Sequence, residues 1–184
     1  MPRAGLDSET VVSAAAALAD DEGLEAVTLA RVAAQLGVRS PSLYVHVDGL
    51  PDLRRRIAAL AARELTARLQ AAVAGRSGRD ALAAVAEAYR EYAREHPGAY
   101  AATQHTANLE GPEAGVAAGD LLDVVLAVLR GYALEDDAAI HAARVVRSAL
   151  HGFVSLESEA GFGIPLDLDQ SFSLLVSVLD RGLR

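Results

Sequence analysis

Residues 28 to 53, T-L-A-R-V-A-A-Q-L-G-V-R-S-P-S-L-Y-V-H-V-D-G-L-P-D-L, constrain the fold more tightly than any other part of this chain. Leu29, Val32, Ala33 and Leu36 fall at i, i+3, i+4 and i+7, which is one apolar face of a short helix. Thr28 stands just before it, where a hydroxyl accepts a hydrogen bond from a free N–H of the first turn. Gly37 stands just after it, where a left-handed residue closes a helix without a Cβ penalty. Ser40 then offers a second N-cap, and Pro41 suits the first helical position, where its missing N–H costs nothing. Gly37, Val38 and Arg39 remain as the turn. Two short helices joined by so tight a turn, with glycine in it, outline a helix-turn-helix.

Two such helices cannot bury a core alone, so the pattern requires a third. Asp7 or Ser8 can cap a helix running to about residue 22, with Val11, Val12, Ala15, Leu18 and Ala19 inward and Gly23 ending it. Leu24 and Val27 complete the small core from the connection. Asp20, Asp21 and Glu22 crowd the negative end of that helix and have no local explanation. After an Asp48-Gly49 turn, a long helix is predicted from residue 50 to about 74, with Leu53, Ile57, Leu60, Leu65 and Leu69 among its apolar positions. Further helices are predicted over 80–96, 99–106, 120–132, 135–160 and from 167 or 169 to the C-terminus, with residues 107–119 a loop. The expected fold is all-α, with about nine helices in total. A three-helix helix-turn-helix domain occupies 1–49 (motif 28–47), and a larger helical bundle occupies 50–184.

Hydrophobic residues make up 52% of the chain and aromatics only 4%, so the core must be built from Ala, Leu and Val rather than rings. Alanine and leucine favour helix, and no alternating strand pattern competes. Cysteine is absent, which excludes a disulfide framework, a thiol nucleophile and a Cys-type zinc site. There is no apolar run of about eighteen residues and no basic-then-apolar leader, so no membrane association is expected and the cytoplasm is the expected location. The chain lacks a Gly-rich phosphate loop, a G-x-S-x-G elbow and an H-E-x-x-H pair, and its histidines share no ligand spacing. Neither an enzyme nor a metal or cofactor site is expected. A net charge of −8 argues against broad nucleic-acid affinity, yet Arg31, Arg39, Arg54, Arg55 and Arg56 gather around the helix-turn-helix. Any DNA binding should therefore be local and strongly weakened by salt.

Gly23, Thr28, Leu29, Val32, Ala33, Leu36, Gly37, Val38, Ser40, Pro41, Ser42, Leu43, Tyr44, His46, Val47 and Leu53 form one pattern. Through it, roughly residues 8 to 60 resemble the TetR family of one-component repressors. Residues 147–157, R-S-A-L-H-G-F-V-S-L-E, resemble a segment of one subset of that family's C-terminal domains, and H-P-G-A-Y at 96–100 resembles a recurrent bend. The resemblance implies a ligand-responsive DNA-binding transcriptional regulator, a repressor released from palindromic double-stranded operator DNA by a small, largely apolar effector. It also implies that residues 40–47 are the recognition helix in the major groove, with Leu43 and Val47 inward and Arg39, Ser40, Pro41 and Ser42 facing DNA. The fork of Arg39 fits guanine O6 and N7, a pairing worth about 1–3 kcal/mol of discrimination. Thr28, Tyr44 and His46 would contact phosphate, which sets register. The plainer alternatives are a solvated turn for Arg39 and surface packing for Tyr44 and His46. Two departures thin the grip: Leu50 stands where the family commonly has Lys, and Asp48 places a negative charge in the adjoining turn.

One recognition helix holds too little DNA to be selective, and two must lie about 34–36 Å apart on one face of the duplex. That requires a two-fold homodimer. Its interface is expected on the last two helices, through Val145, Ala149, Val154 and Leu156 and through Phe172, Leu175, Val176 and Leu179, unless these residues are all internal core. Tyr89, Tyr92, Tyr100, His105, His151 and Phe153 are the aromatic or polar-tipped groups on otherwise apolar helices, as an effector pocket requires, or else plain core and surface residues. The competing reading is a helical small-molecule-binding protein whose helix-turn-helix no longer reads DNA. The acidic balance and Leu50 support it.

Overall fold

The structure, a computed structural model, describes residues 6–104 and 112–184, with the side chains of 112–114 excepted. Among the described residues every regular element is helical, as expected. In order these are α1 (Ser8–Glu22), a 3-10 turn (Leu24–Ala26), α2 (Leu29–Leu36), a 3-10 segment (Ser40–Val45), α3 (Gly49–Val73), α4 (Gly78–Glu95), α5 (Pro97–Gln104), α6 (Pro112–Arg130), α7 (Asp136–Ser158) and α8 (Leu168–Gly182). The chain divides into two compact units, residues 1–64 with 95–118, and residues 65–94 with 119–184.

In the first unit the predicted caps are in place. The carboxylate of Asp7 accepts from Thr10 N at 2.8 Å to open α1, and the Thr28 hydroxyl accepts from Arg31 N at 3.3 Å to open α2. Gly37 closes α2 at φ 68°, ψ 29°, a left-handed conformation that disfavours any residue with a Cβ. Val11, Ala15 and Ala19 of α1, Val27 of the connection, Val32 of α2, Leu43 and Val47 at the 3-10 segment, and Leu53 and Ile57 of α3 form one buried core.

The acidic end of α1 has a tertiary explanation that local sequence could not supply. Asp20 Oδ1 accepts from Ala99 N at 2.8 Å, and its Oδ2 lies 3.0 Å from His96 Nδ1. Asp20 thus faces the positive end of α5, where a carboxylate is stabilising. Gly98 allows the approach: a Cβ there would lie 2.0 Å from the Ala19 carbonyl oxygen. The break at His96-Pro97-Gly98 is therefore a joint between α5 and α1. Glu22 is taken up by the Arg31 guanidinium.

Two helix boundaries differ from expectation. The short helix expected over 99–106 is α5, which starts earlier, at Pro97, and is described as far as Gln104; residues 105–111, including the pocket candidate His105, lie outside the described residues. The expected loop over 107–119 is too long, because α6 begins at Pro112 rather than near residue 120. Pro suits a first helical position, and Gly115 and Gly119 inside the helix cost only about 1 kcal/mol each relative to alanine. Those glycines had diluted the apolar period.

The second unit is organised around a buried arginine. Arg90 of α4 meets Glu157 of α7 through two parallel contacts, Nε to Oε2 at 2.9 Å and Nη2 to Oε1 at 2.6 Å. Its Nη1 lies 2.8 Å from Asp169 Oδ1 on α8. The guanidinium also stands 4.7 Å from the Phe172 ring centroid and 5.4 Å from that of Phe153. These two rings meet edge-on at 5.0 Å, and Phe162 packs on Phe153 at 5.0 Å. Elsewhere in the unit the Tyr132 hydroxyl donates to Asp180 Oδ1 at 2.8 Å, and burial with that carboxylate raises the Tyr132 pKa well above the usual phenol value.

The residues expected at a self-association face are unequally exposed. Val154, Phe172 and Leu179 are buried inside the unit, Phe172 against Arg90 and Phe153. Ala149, Leu175 and Val176 are half-buried, whereas Val145 and Leu156 are exposed. Leu174 and Val178 join the exposed apolar positions of α8.

Candidate nucleic-acid interface

The segment expected to be a recognition helix is a 3-10 helix, Ser40–Val45. Ser42 N donates to Arg39 O at 2.9 Å and His46 N to Leu43 O at 2.9 Å, both i to i−3. Pro41 contributes no donor, and so short a segment has little to gain from the wider α turn. The cap also shifts by one residue. Arg39 holds the N-cap position without a side-chain bond, Ser40 is the first helical residue, and Pro41 follows it. The Ser8 hydroxyl at the start of α1 donates to His46 O at 3.1 Å and ties down the far end.

With three residues per turn, positions i and i+3 eclipse. Ser40, Leu43 and His46 form the inward column, half-buried, buried and half-buried. Pro41 and Tyr44 form a second column, and Arg39, Ser42 and Val45 a third; all five are exposed. Of the residues expected to face DNA, Arg39, Pro41, Ser42, Tyr44 and Thr28 are therefore on the surface, while Ser40 and His46 are partly covered. Val45 was missed by the sequence reasoning. Among the described residues it is the most exposed large apolar side chain, at 84%, and the three-residue period aligns it with Arg39 and Ser42.

The arginines gathered by sequence are not equally available. Arg31 is paired with Glu22, whose carboxyl is held below the usual range by that hydrogen bond. Arg54 reaches Glu25 at 3.0 Å and Leu24 O at 3.4 Å. Arg55 and Arg56 both bind Asp52, at 3.2 and 2.8 Å. Burial works against the Asp52 carboxylate, but the Asp48 N–H at 3.0 Å and the two arginines outweigh it and lower its pKa. Among the described arginines of this unit, only Arg39 and Arg63 have no acidic partner. Arg39 is thus a free cation at the head of the exposed column.

The pocket candidates are divided. Tyr89 and Tyr92 of α4 and Phe153 of α7 are buried in the second unit, where the Arg68 guanidinium covers the Tyr92 ring at 5.2 Å. His151, half-buried in the same unit, has its pKa lowered from 6.5 by burial and by Arg147. Tyr100 is buried in the first unit. Among the described residues no cluster of His, Cys, Asp and Glu could hold a metal ion, and no helix is long and apolar enough to cross a membrane.

Two family models match the chain. Residues 11–46 match "Bacterial regulatory proteins, tetR family", and residues 82–179 match "Tetracyclin repressor-like, C-terminal domain". The chain is 35% identical over 182 residues to the HTH-type transcriptional regulator YobS of Bacillus subtilis, covering 99% of this chain and 95% of that protein. The chain belongs to the TetR family of transcriptional regulators. A second relative, an HTH-type transcriptional regulator of Mycobacterium tuberculosis, is 39% identical over 98% of this chain and 83% of its own length. The fold is shared with a Rhodococcus sp. RHA1 protein of unknown function at a TM-score of 0.81 and 20% identity, covering 98% of this chain and 96% of that one. In this TetR-family regulator the N-terminal match ends at His46, one residue past the 3-10 segment, so it contains α1, α2 and the exposed column. Members of the family are regulators and not enzymes.

Proposed function

We propose that this regulator is a homodimeric repressor that occludes a promoter by binding a palindromic operator and is released by a small, largely apolar effector. The observation that carries the DNA contact is Arg39. It is free and exposed beside Ser42, while Arg31, Arg54, Arg55 and Arg56 are engaged by acids of the chain itself. In this reading Arg39 reads a base edge, Pro41 and Ser42 lie against the groove, and Thr28, Tyr44 and His46 meet phosphate. With four of the nearby arginines paired, binding should still weaken with salt, but less steeply than the arginine cluster of the sequence implies, since each phosphate neutralised releases its own share of counterions.

Dimer formation is supported by an exposed to half-buried apolar row on α7 and α8. Val145, Ala149 and Leu156 lie along one side of α7, and Leu174 and Val178 are a turn apart on α8. The effector is assigned to the C-terminal unit, among Tyr89, Tyr92, His151 and Phe153. Burial and Arg147 lower the His151 pKa, and its Nδ1 lies 3.4 Å from the Ser155 hydroxyl, so this polar group favours its uncharged form, which suits a mostly apolar molecule. Effector binding would favour a dimer with a different spacing of its two reading segments, and so oppose operator binding through a coupling free energy.

One observation favours the competing reading of a ligand-binding protein that no longer reads DNA: four arginines near the motif are neutralised, and Leu50 replaces the expected Lys. A mobility-shift titration against duplex from upstream of the chain's own coding sequence, at two salt concentrations, separates the two. A sequence-dependent shift that weakens with salt supports the regulator. No shift at the lower salt sinks it.

A further inference from the structure

We propose that Val45 is a specificity-determining residue that reads the C5-methyl group of a thymine in the major groove. The inference rests on the DNA-reading assigned to the 3-10 segment and adds a chemical identity to one base position.

Val45 is 84% exposed although it is β-branched and wholly apolar. The neighbouring apolar positions of the motif are spent on packing: Leu43 and Val47 are buried in the N-terminal core. Val45 takes no part in that core, so it contributes nothing to holding the head together. Its column is shared with Arg39 and Ser42, so whatever surface those two polar groups approach, the Val45 methyls approach it one turn further along. A single turn of 3-10 helix advances about 6 Å, or about two base-pair steps.

On that surface an isopropyl group has one apolar partner. The major-groove edges of guanine, cytosine and adenine present only hydrogen-bond donors and acceptors, while thymine adds a methyl. The minor groove shows no such group. Placed over cytosine or a purine, Val45 would cover donors and acceptors without replacing their water contacts, which costs free energy. The column then specifies three kinds of contact in order: a cationic fork, a hydroxyl and an apolar tip.

The test replaces thymine by deoxyuridine, which removes the methyl and leaves every hydrogen-bonding edge intact. A duplex selected by the full-length protein from a random library is substituted at one thymine at a time, and binding is followed by fluorescence anisotropy at fixed salt. Wild-type protein should lose about three- to tenfold in affinity at one thymine per half-site and little elsewhere, the scale of one buried methyl. Val45→Ala should bind the thymine and deoxyuridine duplexes equally well, and because the site is exposed its thermal unfolding should match wild type. A neutral effect at every thymine, or a deoxyuridine penalty that persists in Val45→Ala, overturns the assignment and leaves the DNA-reading standing. Failure to select any duplex overturns both.

Discussion

Asp20 and His96 lie 76 positions apart in sequence, yet the Asp20 carboxylate touches the His96 ring at 3.0 Å and caps Ala99 N at 2.8 Å. The charge that is misplaced in the last turn of α1 is well placed for α5, whose first turn it caps. Asp20→Ala should destabilise the protein by about 0.5–2 kcal/mol in urea unfolding, the range for losing an N-cap acceptor. Asp20→Asn keeps an acceptor for Ala99 N–H and should cost less. Gly98→Ala should be worse than either, because the new Cβ would lie 2.0 Å from Ala19 O and α5 would have to lift away. Equal stabilities for all three variants and wild type would falsify the joint.

Arg90 has two acidic partners in different surroundings. Its own side chain is 5% exposed and that of Glu157 14%, whereas Asp169 is 79% exposed. Removing the cation strands a buried carboxylate, so Arg90→Met should cost about 3–5 kcal/mol in urea unfolding. Asp169→Asn should cost less than about 1 kcal/mol, as expected for a solvent-screened pair. The double variant Arg90→Met with Glu157→Leu should recover much of the loss, since no unpaired charge remains.

Much of this fold could be read from local chemistry. The caps at Asp7 and Thr28, the left-handed closure at Gly37 and the inward Leu43 and Val47 follow from residue type and period. The rest depended on partners distant in sequence. Asp20 made sense only against Ala99, and the arginine cluster lost most of its free charge once Glu22, Glu25 and Asp52 were seen beside it. Phe172 and Val154 were apolar with helical spacing, which cannot distinguish an interior face from an interface. Val45 carries no charge or hydrogen-bonding group to mark it as a contact, and only its 84% exposure separates it from a core valine.

Free and engaged arginines should behave differently on DNA. Arg39→Ala should weaken binding to a selected duplex by about five- to 150-fold, the range of one bidentate base contact, and should relax preference at one base pair per half-site. Arg31→Ala removes a side chain already held by Glu22 and should change DNA affinity by less than about twofold. Anisotropy titrations on the selected and a scrambled duplex check both. Equal weakening by Arg39→Ala on the two duplexes would reassign it to phosphate.

His151 gives the stability curve a defined slope. Burial first, and Arg147 second, lower its pKa in the folded protein from 6.5. Below that value the unfolded chain takes up the proton more readily than the folded one, so its contribution is complete above pH 6.5 and is lost as pH falls through the folded value. Urea midpoints at about pH 7.5 and about pH 5.5 should therefore differ more for wild type than for His151→Gln. A stability that rises on acidification in this window, and does so only when His151 is present, would reverse the sign assigned to its environment.

Exposure separates a free apolar face of α8 from its buried one. Leu174 and Val178, one turn apart, are 61% and 50% exposed, while Phe172 is 2% exposed. Leu174→Glu with Val178→Glu places two charges on an apolar face that has no task within the chain, so the variant should fold with its helical signal intact. It should run as a monomer by light scattering at micromolar concentration and should lose operator affinity, because a single reading segment grips too little DNA. Phe172→Ala should act through stability instead, at about 3–5 kcal/mol, by emptying the ring's place beside Arg90 and Phe153. If wild-type protein is itself monomeric under those conditions, the two-fold dimer fails. The exposed row on α7 and α8 would then need a different partner.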